Sequence, residues 1–223
     1  MPALHVRRLG RADYEPTWCA MQRFTDLRGP ETPDECWCLE HPPVFTLGLN
    51  GDPAHVLAAG DTPVIATDRG GQVTWHGPGQ LVMYVLIDLQ RAGIGPRALV
   101  TALEQAVIGW LGELGIVAVA RPKAPGVYVD GRKIAALGLR VRRGGSYHGL
   151  ALNVAPDLEP FTRINPCGYR DLAVTSLREL GIDSDLAAAA NGVLARLAGE
   201  LGYTRLTETT APWSPPDDSS RPA

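Results

Sequence analysis

The sequence predicts an α+β fold, a mixed, largely antiparallel sheet with flanking helices, and three observations carry that prediction. Short β-rich runs recur along most of the chain. Helical patterns are fewer and separate clusters of strands, whereas a doubly wound sheet would alternate the two. Asp130-Gly131 and Gly144-Gly145 have the composition of hairpin turns, which join antiparallel neighbours.

Taken in order, the run from Leu4 to Leu9 reads as a strand and Tyr14 to Leu27 as a helix. Strands follow from Glu35 to Glu40, Val44 to Leu47, Val64 to Thr67 and Leu81 to Leu89, each a short apolar or β-branched run. From Pro96 to Leu114 a helix is predicted, with proline in its first turn and Gly115 just past its end. Gly126 to Val129, Lys133 to Val141 and Tyr147 to Val154 form a second group of strands around the two turns, and Ser184 to Leu201 is the last helix. Residues 1–206 therefore read as a single domain. From Thr207 to residue 223 Thr, Ser, Pro and Asp dominate, and Pro215-Pro216 precludes a helix, so a disordered tail is expected.

At 223 residues, 45% hydrophobic and 20% charged, the chain can bury one enzyme-sized core. No stretch approaches the roughly 18 to 20 apolar residues of a membrane helix, and Met1 to Gly10 lacks the apolar centre of a secretory signal. A cytoplasmic protein without a membrane partner is expected. A formal net charge of -3 and a pI near 5.9 argue against a nucleic-acid partner. The four cysteines, Cys19, Cys36, Cys38 and Cys167, match neither a disulfide framework nor paired metal knuckles. Cys36, Cys38 and His41 lack a fourth ligand nearby, so buried thiols on a core strand are the plainer reading and no metal is expected. Apart from Lys123 and Lys133 every basic residue besides histidine is arginine, and lysine alone of the two can give up its proton in a desolvated site.

Three segments carry chemistry. The first, Asp68-Arg69-Gly70-Gly71-Gln72-Val73-Thr74-Trp75-His76-Gly77-Pro78-Gly79-Gln80, is a glycine-rich loop whose amides at Gly70, Gly71, Gly77 and Gly79 suit an acyl carbonyl or its oxyanion, with Arg69, Thr74 and His76 as polar contacts. A purely structural loop is the alternative. In the second, a strand of period two places Lys133 on the apolar face of Ala135, Leu137, Leu139 and Val141, where lost hydration suits an amine to proton transfer; a lysine reaching back to water is the alternative. The third is Asn165-Pro166-Cys167-Gly168, a thiol between turn formers and hence accessible; Cys19 lies within a helical pattern, and Cys36 and Cys38 share one face of a strand, where buried residues are expected. Neither G-x-x-x-x-G-K-[ST] nor G-x-G-x-x-G occurs, so no standard phosphate cradle is present.

Together these segments resemble the lipoyl(octanoyl) transferase family. The resemblance rests on Arg69-Gly70-Gly71-x-x-Thr74-x-His76-Gly77-Pro78-Gly79-Gln80, Lys133-Ile134-Ala135-Ala136-Leu137-Gly138, His148-Gly149-Leu150-Ala151-Leu152-Asn153-Val154, and Pro166-Cys167-Gly168 with Thr175-Ser176-Leu177, supported by Glu40 to Gly48. It implies a fold like the catalytic domain of biotin and lipoate ligases. It also implies transfer of an octanoyl or lipoyl group, without a cofactor, from acyl carrier protein to a lysine of lipoyl domains of 2-oxoacid dehydrogenases and glycine cleavage H protein. By the same resemblance Cys167 is the nucleophile and Lys133 its activating partner. The substrate would lie against Arg69, Gly70, Gly71, Gln72, Val73, Thr74, Trp75 and His76, against Ala136, Leu137 and Gly138, and against Gly149, Leu150 and Ala151. The competing readings are an ATP-dependent lipoate or biotin ligase, which needs no cysteine nucleophile, and a non-catalytic acyl- or carrier-binding protein. Arg121, Lys123, Arg132, Lys133, Arg140, Arg142 and Arg143 against the single acid Asp130 form a candidate docking patch for an acidic carrier, or an ordinary solvated face.

Overall fold

A computed structural model describes residues 2–122, 124–165 and 173–215. In chain order the elements are β1 (Ala3–Arg11), α1 (Tyr14–Leu27), β2 (Asp34–Glu40), β3 (Val44–Leu47), β4 (Val64–Ala66), β5 (Val73–His76) and β6 (Gln80–Leu86). They continue with α2 (Pro96–Glu113), β7 (Val119–Ala120), β8 (Gly126–Val129), β9 (Arg132–Arg142), β10 (Gly145–Asn153), α3 (Leu186–Leu201) and β11 (Arg205–Thr209). Among the described residues eight strands form one sheet in the order β11-β1-β2-β6-β10-β9-β8-β7, and three form a second, β4-β3-β5. β1 runs parallel to β2 and β11, and every other pair in the large sheet is antiparallel. The predicted α+β class, mixed and largely antiparallel, is the fold observed.

Side chains alternate along a strand, so the central strands feed two cores. Leu81, Met83 and Val85 of β6 and Leu150 and Leu152 of β10 pack with Leu99, Leu103 and Val107 of α2 and Val193, Leu194 and Leu197 of α3. On the opposite face Val82, Tyr84 and Leu86 with Tyr147 and Ala151 meet Met21 and Phe24 of α1. Cover on both faces explains why β6 reads as a continuous apolar run. In the small sheet Phe45, Leu47, Val73 and Trp75 pack with Phe161 and Ile164. α2 and α3 cross closely because Gly192 leaves room for the Trp110 indole, which a Cβ there would meet at 2.0 Å.

Several expectations are corrected. The turn between β9 and β10 is centred on Arg143-Gly144, both with positive φ (51° and 82°), one residue before the expected Gly144-Gly145. Asp130-Gly131 turns as expected, with φ of 47° and 81°. α3 begins at Leu186, not Ser184, because Asp185 caps it, its Oδ1 accepting from Ala188 N–H at 2.7 Å. Within the stretch expected to be a disordered tail from Thr207, the end of β11 pairs with β1, and the Trp213 ring lies 5.6 Å from that of Phe24. Partners distant in sequence stabilise this polar segment. Val73–His76, read as part of a loop, is a strand paired with β3.

The ladder of β8 on β9 also slips. Val127 pairs with Ala135, yet Tyr128 pairs with Lys133, leaving one extra residue in β9. This bulge changes the phase of the strand, so Lys133 does not share the face of Ala135 as expected. Ala135 lies in the core with the α2 residues, whereas Lys133 and Ala136 line the cavity described next.

Candidate active site

The glycine-rich loop between β4 and β5 is folded around its own arginine. The buried Arg69 guanidinium donates to Thr46 O at 2.7 Å, Gln72 O at 2.7 Å, Gly70 O at 3.0 Å and Thr46 Oγ1 at 2.9 Å. Arg69 thus shapes the loop as well as lining the cavity. Gly70 N–H donates to Leu139 O at 2.9 Å, and a Cβ at Gly138 would sit 2.7 Å from Gly70 O, so the loop rests directly on the backbone of β9. Two amides expected to hold an oxyanion are engaged in the fold itself: Gly70, as just described, and Gly79, which donates to Glu40 Oε2 at 2.8 Å.

Beneath the loop lies a cavity of about 860 Å³. Arg69, Gly70, Gly71, Gln72, Val73, Thr74 and His76 line it from the loop and β5, Lys133, Ala136, Leu137 and Gly138 from β9, and Gly149, Leu150 and Ala151 from β10. Trp75 stands apart. Alternation along β5 turns it away, into the small-sheet core against Phe161, with ring centroids 5.6 Å apart. Gly149 is needed for the sheet itself, since a Cβ there would lie 2.0 Å from Met83 O of β6.

Buried polar groups continue the cavity wall. His76 Nδ1 meets Gln80 Oε1 at 2.7 Å, Gln80 donates to Asn153 Oδ1 at 3.0 Å, and Asn153 donates to Thr175 O at 3.0 Å. His41 Nε2 meets Tyr84 OH at 2.7 Å. Burial, reinforced by His41 and Arg69, holds His76 well below the usual imidazole range, and burial lowers His41 to about 4 despite its bond to Ala12 O. Both shifts favour the neutral imidazole.

Asp68 gathers Trp18 Nε1 at 2.8 Å, Gln22 Nε2 at 3.2 Å, His148 Nε2 at 2.9 Å and Tyr147 OH. Burial raises its carboxyl, but these four hydrogen bonds outweigh it and hold the group below the ordinary carboxylate range. Tyr147 and His148 are neighbours in β10 and should face opposite ways; the positive φ of His148, 59°, brings both to one carboxylate.

Lys133 is 5% exposed, and its Nζ donates to Pro125 O at 3.3 Å and lies 5.3 Å from the centre of the Tyr128 ring. Its backbone holds the chain that follows the predicted nucleophile: Lys133 N–H donates to Ala173 O at 2.8 Å, and Thr175 N–H donates to Lys133 O at 2.9 Å. Cys167, with Pro166 and Gly168, lies outside the described residues. Cys36 and Cys38 sit buried in the core of β2, His41 is engaged with Ala12 and Tyr84, and among the described residues no three metal-ligating side chains cluster. No helix there is long and apolar enough to cross a membrane.

Sequence reasoning missed Glu104 and Tyr84, and it included Asp68 in the glycine-rich segment without giving it a role. Glu104 is a buried carboxyl one position from the apolar stripe of Ala102, Leu103, Ala106 and Val107, and that misplaced charge was the available signal. Nothing local marks Asp68, whose four partners come from α1 and β10.

The octanoyltransferase of Methylococcus capsulatus is 62% identical over 200 residues, covering 90% of this chain and 97% of that protein. The octanoyltransferase of Chromobacterium violaceum is 56% identical over 207 residues, covering 93% and 100%. The bipartite lipoate protein ligase of Thermoplasma acidophilum has a TM-score of 0.70 at 14% identity, covering 95% of this chain and 87% of that one. Biotin protein ligase from Aquifex aeolicus has a TM-score of 0.55 at 15% identity, covering 89% and 70%, so both solved structures share the fold. Residues 13–198, which contain the loop, the bulged strand and the Lys133 pairing with Ala173 and Thr175, match the lipoyl protein ligase A/B catalytic domain, and the chain belongs to that family.

Proposed function

We propose that this protein is a cytoplasmic octanoyltransferase that takes an octanoyl or lipoyl group from acyl carrier protein and delivers it to a lysine of a lipoyl domain. The acceptors are 2-oxoacid dehydrogenases and the glycine cleavage H protein, and the intermediate is a thioester on Cys167. One observation carries the reading. A buried lysine at a cavity wall is hydrogen-bonded through its backbone to Ala173, six residues along the sequence from Cys167, and this supports pairing that amine with that thiol. The octanoyltransferase relatives, 56–62% identical, support the same chemistry.

In this mechanism the Cys167 thiolate attacks the donor thioester carbonyl while backbone amides of the glycine-rich loop, Gly71 among them, hold the oxyanion. The carbon–sulfur bond to the donor breaks, and Lys133 protonates the departing thiol. Acyl-Cys167 then meets the acceptor lysine. Neutral Lys133 takes the proton of the attacking amine, the amide forms, and the Cys167 sulfur leaves. One thioester is exchanged for another and then for a more stable amide, so the sequence of steps runs downhill without a further energy source. The acyl chain occupies the apolar wall formed by Val82, Ala136 and Ala151.

Incubation with octanoyl-carrier followed by intact mass measurement tests the proposal. One octanoyl adduct on the wild type and none on Cys167→Ala is the expected result, with loss of the adduct on adding a lipoyl domain. An adduct that persists in Cys167→Ala overturns it, as does modification of the lipoyl domain only when ATP and free octanoate are supplied.

A further inference from the structure

We propose that Glu104 is a positioning residue for Lys133, acting through the Pro125–Gly126 peptide. The two hydrogen bonds involved belong to one peptide unit. Gly126 N–H donates to Glu104 Oε1 at 2.9 Å in a buried contact, and the carbonyl of the same peptide, Pro125 O, accepts from Lys133 Nζ at 3.3 Å. A peptide is planar and rigid, so a partner that fixes its N–H also fixes the direction of its C=O. An N–H pulled toward a carboxyl oxygen further polarises the carbonyl at the other end, which strengthens the acceptor offered to the amine.

The surroundings leave the arrangement little freedom. Gly126 has φ of 144°, and a Cβ there would lie 2.7 Å from Ala135 O and 3.0 Å from Lys133 Cε, so only glycine admits the lysine side chain beside it. The β9 bulge places Lys133 on the cavity wall, and α2 delivers Glu104 to the same wall. Nothing in the packing of α2 calls for a carboxyl at this buried position, where an apolar side chain would extend the core. Its partner is an amide whose other end holds the lysine, and this gives the carboxyl its role.

The inference rests on Lys133 being the acid and base of the proposed reaction, and the test separates the two. With only two lysines in the chain, ¹⁵N-lysine labelling gives one side-chain signal each for Lys123 and Lys133. Octanoyl transfer is measured with the full chain, an octanoyl-carrier donor and a lipoyl-domain acceptor. Glu104→Leu should lower kcat by about a hundredfold with KM little changed, the scale expected when a reacting group is misplaced. The same variant should move the Lys133 Nζ signal and leave that of Lys123 in place. Glu104→Gln, which keeps an acceptor oxygen, should restore kcat to within about threefold and the signal to its original position. A Glu104→Leu protein with wild-type kcat or an unmoved Lys133 signal overturns the inference, and so does equal loss in the Gln and Leu variants. If Glu104→Leu does not fold, Glu104→Asp decides, because its carboxyl is one methylene short: lowered kcat with a moved signal supports the role and wild-type kcat refutes it. Lys133→Met is the control for the underlying reaction. If it turns over normally, the assignment of Lys133 fails; if it is inactive while Glu104→Leu is normal, only the positioning role fails.

Discussion

The two faces of the eight-stranded sheet are made by the same strands and bury different chemistry. Toward α2 and α3 the side chains are almost entirely aliphatic, and they touch one another without directional demands. The other face, under α1 and the glycine-rich loop, buries two hydrogen-bonded sets, His41 with Tyr84 and His76 with Gln80 and Asn153. Aliphatic packing stabilises in proportion to area and tolerates substitution of similar volume, whereas each buried polar group is costly unless every partner is in place. The polar face is therefore a poor source of stability and a good means of fixing geometry, and disruption should separate the two faces.

The largest effect belongs to the polar side. Lys133→Arg keeps a positive charge but removes a group able to give and take a proton near neutrality. In single-turnover assays acylation of Cys167 should survive in part while discharge to the acceptor falls by about a hundredfold or more, so that the acyl-enzyme accumulates. Near-normal rates in both half-reactions would remove Lys133 from proton transfer.

On the aliphatic side Leu103→Ala should cost about 2–5 kcal/mol of stability in urea titrations, the range for a buried leucine between helix and sheet. Acyl transfer per folded molecule should change little. A drop in kcat without a drop in the urea midpoint would show that the faces are not separable.

A smaller effect distinguishes them by pH. His41 titrates at about 4 in the fold against roughly 6.5 unfolded, so its contribution to stability is complete above about pH 6.5 and is lost as pH falls toward 4, where the unfolded chain binds the proton first. His41→Gln should flatten urea midpoints between these limits. An unchanged slope would place the acid sensitivity elsewhere, with Asp68 and its four donors as the next group to vary.

The mildest change is expected at the rim. Arg142 pairs with Asp26 at 2.9 Å and Arg132 with Glu179 at 3.3 Å, whereas Arg140 is exposed and serves as the test position for attraction of an acidic carrier. Arg140→Ser should raise KM for the carrier donor severalfold at low salt and leave a small octanoyl thioester unaffected; equal loss on both donors would mean altered pocket shape.

The legibility of the sequence divides along similar lines. Strands on the aliphatic face were readable because uninterrupted or alternating apolar runs are local signals, and Tyr14–Leu27 shows its whole length in its periodicity. Most of the cavity wall was readable from motif, from Arg69 to His76 and from Ala136 to Gly138. Features that depend on a partner far along the chain were not. The β9 bulge exists because β8 and β9 pair out of step, Trp75 and Thr74 separate only once β5 is seen to be a strand, and His148 reaches Asp68 through a backbone angle that its neighbours do not announce. Glu104 shows the same limit: a misplaced charge was visible, but its meaning lies in a peptide some twenty residues away.

The pairing of β1 with β11 has a consequence for the making of the chain. Ala3 finds Arg205 and Val6 finds Glu208, so β1 waits for a strand that follows it by about two hundred residues, or roughly 10 to 40 seconds of ribosomal elongation. Through that interval one edge of β1 offers its amides and carbonyls to any other nascent strand. Arg8 belongs to this strand, and charge on an open strand discourages such pairing. When β11 arrives, Arg8 closes on Glu208 at 2.8 Å, and the residue that guarded the unfinished edge becomes its clasp.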